Sequence, residues 1–313
     1  MLHLRTYTPE DQPAWDALVE QSPCATFLHR RGFMGYHADR FQDASIMVFR
    51  GEKLLAVLPA NQVGEEVYSH QGLTYGGLIM AAEVGADMVL RIFEALLAYL
   101  REQRVARFHY RQLPSLYAAT PQGAEDYALW QCGATLVRRD LTLAAPLGHP
   151  PHLQQRRMRG VKKAAESGLS ITRDAQLDGF WREVLEPTLQ DRHGVTPVHT
   201  AEEIQLLHDR FPDQIQQYVV RKGAQLLGGS TLFITPRVVH AQYIAATAEG
   251  RKQGALDLLF DYLLHEEFQD RQWLNFGIVN EEEGRVINSG LLEWKESFGA
   301  LPFVHNFYRF DLS

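Results

Sequence analysis

The chain has 313 residues, 45% of them hydrophobic, and carries 31 Lys and Arg against 38 Asp and Glu for a formal net charge of −7. That acidity argues against a protein that coats itself with nucleic acid, so no DNA partner is expected, and no stretch approaches the roughly 18 apolar residues of a membrane span, so no membrane insertion is expected. Cys24 and Cys132 make neither a disulfide framework nor a metal knuckle; two buried thiols are expected, no metal, and a cytoplasmic protein, since residues 1–6 open no apolar leader segment.

In chain order, a short strand at Leu2 and Leu4 precedes a helix around Trp15. The run Ser45-Ile-Met-Val-Phe49, the turn Arg50-Gly-Glu-Lys53 and a further strand then read as an antiparallel meander. Val89, Ile92, Phe93 and Leu96 stand at i, i+3, i+4 and i+7, the spacing of a helix that buries one face on a sheet. A buried strand over 105–110 and a last helix follow. The order then repeats: Leu169 and Ile171, Trp181, Gln217-Tyr-Val-Val220, the helix face Leu256, Leu259, Phe260 and Leu263, a strand over 272–276, a last helix, and strands such as 303–312. The offset is 167 residues at Leu2/Leu169, 172 at Leu54/Leu226 and 166 at Gly133/Gly299. Solenoid units run to about 20 to 50 residues, so this is a duplicated domain. Two α+β domains are predicted, 1–148 and 149–313, each with a mixed central sheet flanked by helices.

This order of elements resembles the fold of the GCN5-related N-acetyltransferases, the GNAT superfamily, and the tandem layout is similar to the Fem-type aminoacyl transferases. The segments Ser69-His-Gln-Gly-Leu-Thr-Tyr-Gly-Gly77, His240-Ala-Gln-Tyr-Ile244 and Phe276-Gly-Ile-Val-Asn-Glu-Glu-Glu-Gly284 look like bacterial Fem-like acetyltransferase-domain proteins. The resemblance implies two tandem acyl-CoA N-acyltransferase folds and transfer of an acyl group to an amine. It further points to the last helix of the second copy, Asn288-Ser-Gly-Leu-Leu-Glu-Trp-Lys-Glu-Ser-Phe-Gly299. Where acetyltransferases often carry a Tyr that protonates the departing thiolate, this chain has Lys295, as Fem-type enzymes do. An ammonium there could stabilise an oxyanion or leaving group, because a fixed charge counts for more in a dry cleft. The first copy has Leu129 at the matching place, so catalysis is expected in the second domain, with the first shaping the acceptor cleft.

The donor of this fold enters beside the long helix, where its pyrophosphate meets backbone amides. Superfamily members show Gln/Arg-x-x-Gly-x-Gly/Ala there; this chain reads Arg251-Lys-Gln-Gly-Ala-Leu256, which makes Arg251, Lys252 and Gly254 the donor-binding candidates. The first copy reads Glu83-Val-Gly-Ala-Asp87, acidic where an anion would sit. On the preceding strand, His240, Gln242 and Ile244 alternate with Ala241, Tyr243 and Ala245. His240 is a candidate base for an ammonium acceptor, although its counterpart His70 also suits a structural role. Glu281 is a second base candidate, and Gln242, Tyr243, Asn275, Asn280 and Asn288 are expected to complete a polar rim.

Three further segments are substrate-binding candidates. The run 154–166, with Arg156, Arg157, Arg159, Lys162 and Lys163, resembles the basic helix that opens this domain in Fem-type enzymes; it suits a phosphate or is a solvated face. The loop 192–200 holds His193 and His199 without a ligand set for a metal. The segment 69–77, with His70 and Tyr75, is glycine-rich without the Lys-Ser/Thr of a phosphate loop. The resulting expectation is an N-acyltransferase that uses acetyl-CoA or another acyl-CoA on a small-molecule or envelope-precursor amine. An aminoacyl-tRNA-dependent transferase, with tRNA as partner, and a non-catalytic binding module remain as alternatives.

Overall fold

The computed structural model describes residues 1–149 and 152–313, and only the backbone of Arg192 and His193. The chain divides into two compact units: the first holds residues 1–141, 282–286 and 304–313, the second 142–281 and 287–303. The division falls after Leu141, where the sequence suggests 148, and two pieces from the second half of the chain join the first unit. Local periodicity carries no signal for that exchange.

In the first unit, β1 (Leu2–Thr6), α1 (Gln12–Gln21), β2 (Ile46–Arg50) and β3 (Lys53–Leu58) form the expected opening. Here β1 and β3 flank β2 antiparallel, and Gly51 at φ 62° makes the tight turn between β2 and β3. Trp15 is fully buried and donates its indole N–H to His29 O at 2.8 Å. A hairpin of β4 (Asn61–Val63) and β5 (Glu66–Tyr68) follows, then the glycine-rich excursion, then β6 (Ile79–Met80). This is where the two copies differ. The excursion splits one strand into halves, so that β6 returns to β3 while β5 runs parallel to β7 (Arg107–Arg111).

The helix α2 (Ala86–Glu102) buries Val89, Ile92, Phe93 and Leu96, as its spacing requires; burying each such side chain is worth about 1.5–3 kcal/mol. Leu129, on α3 (Gly123–Gln131), belongs to the same core. The strand β8 (Thr135–Pro146) then carries the chain out of this unit.

The second unit contains α4 (Gln155–Glu166) and β9 (Ser170–Asp174). A helical stretch follows, with Trp181–Leu185 as a π turn between Asp178–Phe180 and Glu186–His193. Next come α5 (Ala201–Arg210), β10 (Ile215–Lys222), β11 (Gln225–Ile234) and β12 (Val238–Ala246), with β9 to β12 antiparallel in that order. Two helices in tandem, α6 (Ala248–Gln253) and α7 (Ala255–Tyr262), lead to β13 (Trp273–Ile278), α8 (Ser289–Glu296) and β14 (Leu301–Asp311). From Phe307 on, β14 pairs antiparallel with β7 of the first unit's own sheet, residues 304–313 being part of that unit.

One feature of the second unit positions the site. β12 and β13 are parallel neighbours over only three pairs, Val238 with Trp273, Val239 with Leu274 and His240 with Asn275. β12 then runs on to Ala246 without β13, which turns instead toward β8 at Thr142. A notch opens between the diverging strands. Among the described residues, no helix is long and apolar enough to cross a membrane. Cys24 and Cys132 are unbridged and half-buried, where the sequence suggests buried thiols.

Candidate active site

The notch leads into a cavity of about 750 Å³. Ala241, Gln242 and Ile244 of β12 line one wall, Phe276 of β13 another, and Arg251, Gly254, Leu256 and Asp257 line the junction of α6 with α7. Arg157 of α4 reaches in from outside the sheet, and Asn288, Leu291, Trp294 and Lys295 of α8 close the remaining side.

Lys295 is placed by its helix. Asn288 caps α8, its Oδ1 accepting from Leu291 N at 2.9 Å, as a residue with a short side-chain acceptor does at this position. Trp294 anchors the next turn in a ring cluster, with centroids 5.6 Å from Phe260, 5.8 Å from Phe276 and 5.1 Å from Phe298. Lys295 is thereby held 3% exposed. Its Nζ donates to Gly277 O at 2.9 Å and Ile278 O at 2.7 Å. Burial pulls its pKa from 10.5 down to about 7, because desolvation penalises the ammonium. Three N–H groups less two leave one for the cavity.

Those two carbonyls are themselves positioned. Gly277 sits at φ 80°, a conformation open to glycine and strained for other residues. Its N–H donates to Asn275 Oδ1 at 2.8 Å, and the same oxygen accepts from Thr142 Oγ1 at 2.7 Å. Asn275 is therefore a buried bracket for the Lys295 seat, where the sequence suggests a substrate contact.

His240 lies beside that seat. The register carries it opposite Asn275, and a side chain added at Gly277 would meet its Cε1 at 3.7 Å. Burial, and then the Lys295 charge, hold His240 down to about 4 against the opposing hydrogen bond of Gln242, so it is neutral and weakly basic near pH 7. Alternation holds on β12 for Gln242, Tyr243 and Ile244 and departs at Ala241. Its pairing with β11 slips between Thr231 and Leu232, so that Gln242 is the extra residue of a bulge. Ala241 and Gln242 consequently both line the cavity. Tyr243 packs the other way, with its hydroxyl 2.6 Å from His199 Nδ1 and its ring against Trp181. Tyr243 and His199 are thus a buried pair apart from the cavity lining.

At the mouth, Arg251 donates Nη1 to Ala246 O at 2.6 Å and lines the cavity, whereas Lys252 is exposed and does not. Gly254, at φ 79°, joins α6 to α7. A side chain on it would meet Gly160 O at 2.5 Å, so α4 packs directly on this junction. Arg157 Nη1 pairs with Asp257 Oδ1 at 2.5 Å and Arg157 Nε donates to Ser297 Oγ at 2.8 Å. Burial raises the Asp257 carboxyl above its ordinary value, opposed by Arg157. Arg156 is spent likewise, on Glu293 Oε1 at 2.6 Å and Glu293 O at 3.0 Å. The basic helix therefore divides: Arg156 and Arg157 fasten it, while Arg159, Lys162 and Lys163 remain exposed.

The other candidates scatter. Glu281 is exposed and accepts from Asn288 Nδ2 at 2.7 Å, and Asn280 precedes it on a short strand. His70 lines a separate cavity of the first unit, and Tyr75 is buried there with its hydroxyl on Thr26 Oγ1 at 3.2 Å. The side chain of His193 lies outside the described residues. Sequence reasoning missed Asp257, which has no local signal. It noticed Trp294 and Arg157 only as neighbours of other groups.

Comparison with known proteins fits this geometry. Residues 153–295 match the acetyltransferase (GNAT) domain family. No protein of curated function matches the chain in sequence. Among solved structures, that of FemX is similar over 98% of this chain and 96% of its own, with a TM-score of 0.68 at 11% identity. L-PGS from Bacillus licheniformis is similar over 97% and 92%, at 0.64 and 13%. A tandem GNAT protein from the clavulanic acid biosynthesis pathway is similar over 100% and 99%, at 0.51 and 14%. At such identities these likenesses establish the fold, which extends over both halves of the chain.

Proposed function

Because residues 153–295 match the acetyltransferase (GNAT) domain family, we propose that the second unit joins an acyl group to an amine, taking the group from an acyl-CoA. The observation that carries this reading is the notch between β12 and β13, opening onto a cavity in which a buried ammonium has a hydrogen bond to spare.

The proposed chemistry needs orientation more than covalent machinery. The acyl carbonyl enters between the diverging strands, where β12 past His240 has no parallel neighbour to occupy its edge. The amine adds to that carbonyl, and the third N–H of Lys295 stabilises the charge that develops on the oxygen or on the leaving sulfur. Asn275 and Gly277 act as positioning residues, because they fix the carbonyls that hold Lys295. With a pKa near 4, His240 is a poor acceptor for an ammonium proton and better suited to shaping the seat. The exposed Glu281 carboxylate is the remaining base candidate. At the mouth, Arg251 and the unpaired amides in the first turn of α7 suit the donor's phosphates.

A second donor, an aminoacyl-tRNA, is favoured by one observation. α4 packs its backbone at Gly160 onto Gly254 and sets the Asp257 carboxylate in the first turn of α7, which narrows the place for a pyrophosphate, while Arg159, Lys162 and Lys163 stay exposed for a polyanion. Calorimetry with acetyl-CoA at moderate salt, with adenosine 3′,5′-bisphosphate as control, tests the choice. Saturable binding with preference for the thioester supports acyl-CoA. No binding excludes it and leaves tRNA binding to separate the aminoacyl reading from a non-catalytic module. Both donors belong to a bacterial cytoplasm, and the acceptor on this reading is a small-molecule or envelope-precursor amine.

A further inference from the structure

The first unit holds a cavity of its own, of about 360 Å³, lined among others by Tyr68, His109, Arg111, Val137, Arg138 and Phe307. It opens at the matching place in that copy: β5 and β7 are parallel over three pairs, Glu66 with Arg107, Val67 with Phe108 and Tyr68 with His109, and then part. No residue equivalent to Lys295 lies here, since Leu129 fills that position within the core.

The charges around this cavity are paired locally except at Arg111. Asp140 is 1% exposed and chelated by Arg138, with Nε to Oδ1 at 2.9 Å and Nη2 to Oδ2 at 2.7 Å. Arg138 also feels Glu283, an exposed carboxylate at the rim. Arg309 is matched by Asp311. Arg111 is half-buried and shares Asp140 only at long range; its one hydrogen bond as a side-chain donor goes to Leu73 O. Among the described residues no carboxylate lies within ion-pair distance of it. His305 adds no negative charge, for burial and the two guanidinium groups keep it neutral. Arg111 and Arg138 lie 5.2 and 4.6 Å from the centroid of the Phe307 ring.

Part of the remaining lining is flat and apolar, beside the polar side chains of Ser69, His70 and Gln71. Tyr68 and His109 stack at 4.3 Å and 4°, and their polar ends are both spent on Glu66, at 2.9 and 2.7 Å. They contribute ring surface, beside Val137 and Phe307. A half-buried cation without an anionic partner, in a small and partly apolar recess, is complementary to one negative charge on an apolar body. We propose that this cavity is a second binding site, selective for a small monocarboxylate whose carboxylate pairs with Arg111 and whose body lies against Tyr68, Val137 and Phe307. A dianion such as a phosphate monoester would carry one charge too many, since Arg138 is already neutralised by Asp140.

Saturation-transfer NMR on the full chain tests this with benzoate, phenylacetate, phenyl phosphate and uncharged benzamide as probes. The expected result is saturable binding of the two carboxylates, at least tenfold weaker binding of phenyl phosphate and benzamide, and a loss of tenfold or more in Arg111→Gln. Because Arg111 also packs in the unit, Val137→Trp provides a second variant. Val137 is 46% exposed, so the change fills the cavity mouth without entering the core, and it should abolish binding while the thermal melt is retained. No binding of either carboxylate overturns the proposal. So does benzamide or phenyl phosphate binding equally well, binding that survives both variants, or binding lost instead in Arg251→Glu at the other cavity.

Discussion

Replacing Lys295 by Met keeps the length of the side chain and removes its charge. In the folded chain Lys295 has a pKa of about 7, against 10.5 when exposed. Between those values the unfolded chain binds one proton more than the folded one, so wild-type stability rises with pH through the window and is lost as pH falls toward 7. The slope reaches about 1.4 kcal/mol per pH unit. Because the group is half-titrated at pH 7, the gain from pH 7 to pH 9 is about 2 kcal/mol. Met has no such gain. At pH 7 two effects oppose each other in the variant: the cost of burying the amine disappears, while Gly277 O and Ile278 O lose their donor at about 1–3 kcal/mol each. The variant should therefore lie at or somewhat below wild type at pH 7 and about 2 kcal/mol further behind at pH 9. Urea unfolding followed by tryptophan fluorescence at both pH values measures this, and groups common to the two proteins cancel in the difference. An equal gap at the two pH values refutes the buried, titrating amine. In the same variant the loss of a single charge-stabilising donor should lower kcat by about 10²–10³-fold with donor affinity retained, and wild-type kcat should decline above pH 7 as the ammonium is lost. Unchanged turnover would remove Lys295 from the chemistry.

Other expectations follow from the same geometry. Arg251→Glu should raise the acetyl-CoA dissociation constant at least tenfold in calorimetry, and an unchanged constant would remove the mouth assignment. Gly277→Ala has room for its methyl group, the nearest atom being His240 Cε1 at 3.7 Å, so its cost is backbone strain of about 1–2 kcal/mol; turnover should fall further than stability, because the strain lies in the Lys295 seat. In the first unit, Glu125 is buried and accepts from Tyr110 at 2.5 Å, and burial lifts its pKa from 4.5 to about 7. Wild-type stability then falls as pH rises through 4.5 to 7, and Glu125→Gln should gain about 2–3 kcal/mol on wild type between pH 5 and pH 8 in denaturant unfolding; a constant difference would contradict the buried carboxyl. Asp257→Ala leaves the Arg157 guanidinium without its partner and should cost about 3 kcal/mol, whereas a loss below 0.5 kcal/mol, on the order of a solvated pair, would show that α4 is held by other contacts.

The sequence alone determined the duplication, the α+β character of each copy and the asymmetry between Lys295 and Leu129. The first two properties rest on the period of apolar residues, which depends only on which neighbours a helix or strand brings to one face, and the third on the match of the two copies at Gly133 and Gly299. The tertiary structure decided which polar groups meet. The bulge at Gln242 brings Ala241 onto the cavity face, and the 100-residue separation of Arg157 and Asp257 leaves no trace in local spacing. Asn275 became a bracket because Gly277 N and Thr142 are its partners, and the last strand joined the first unit because its hydrogen bonds are made with β7. Periodicity reports that a residue is buried on a face; a hydrogen bond or ion pair is fixed by distance and direction between distant segments, and only the folded chain supplies those.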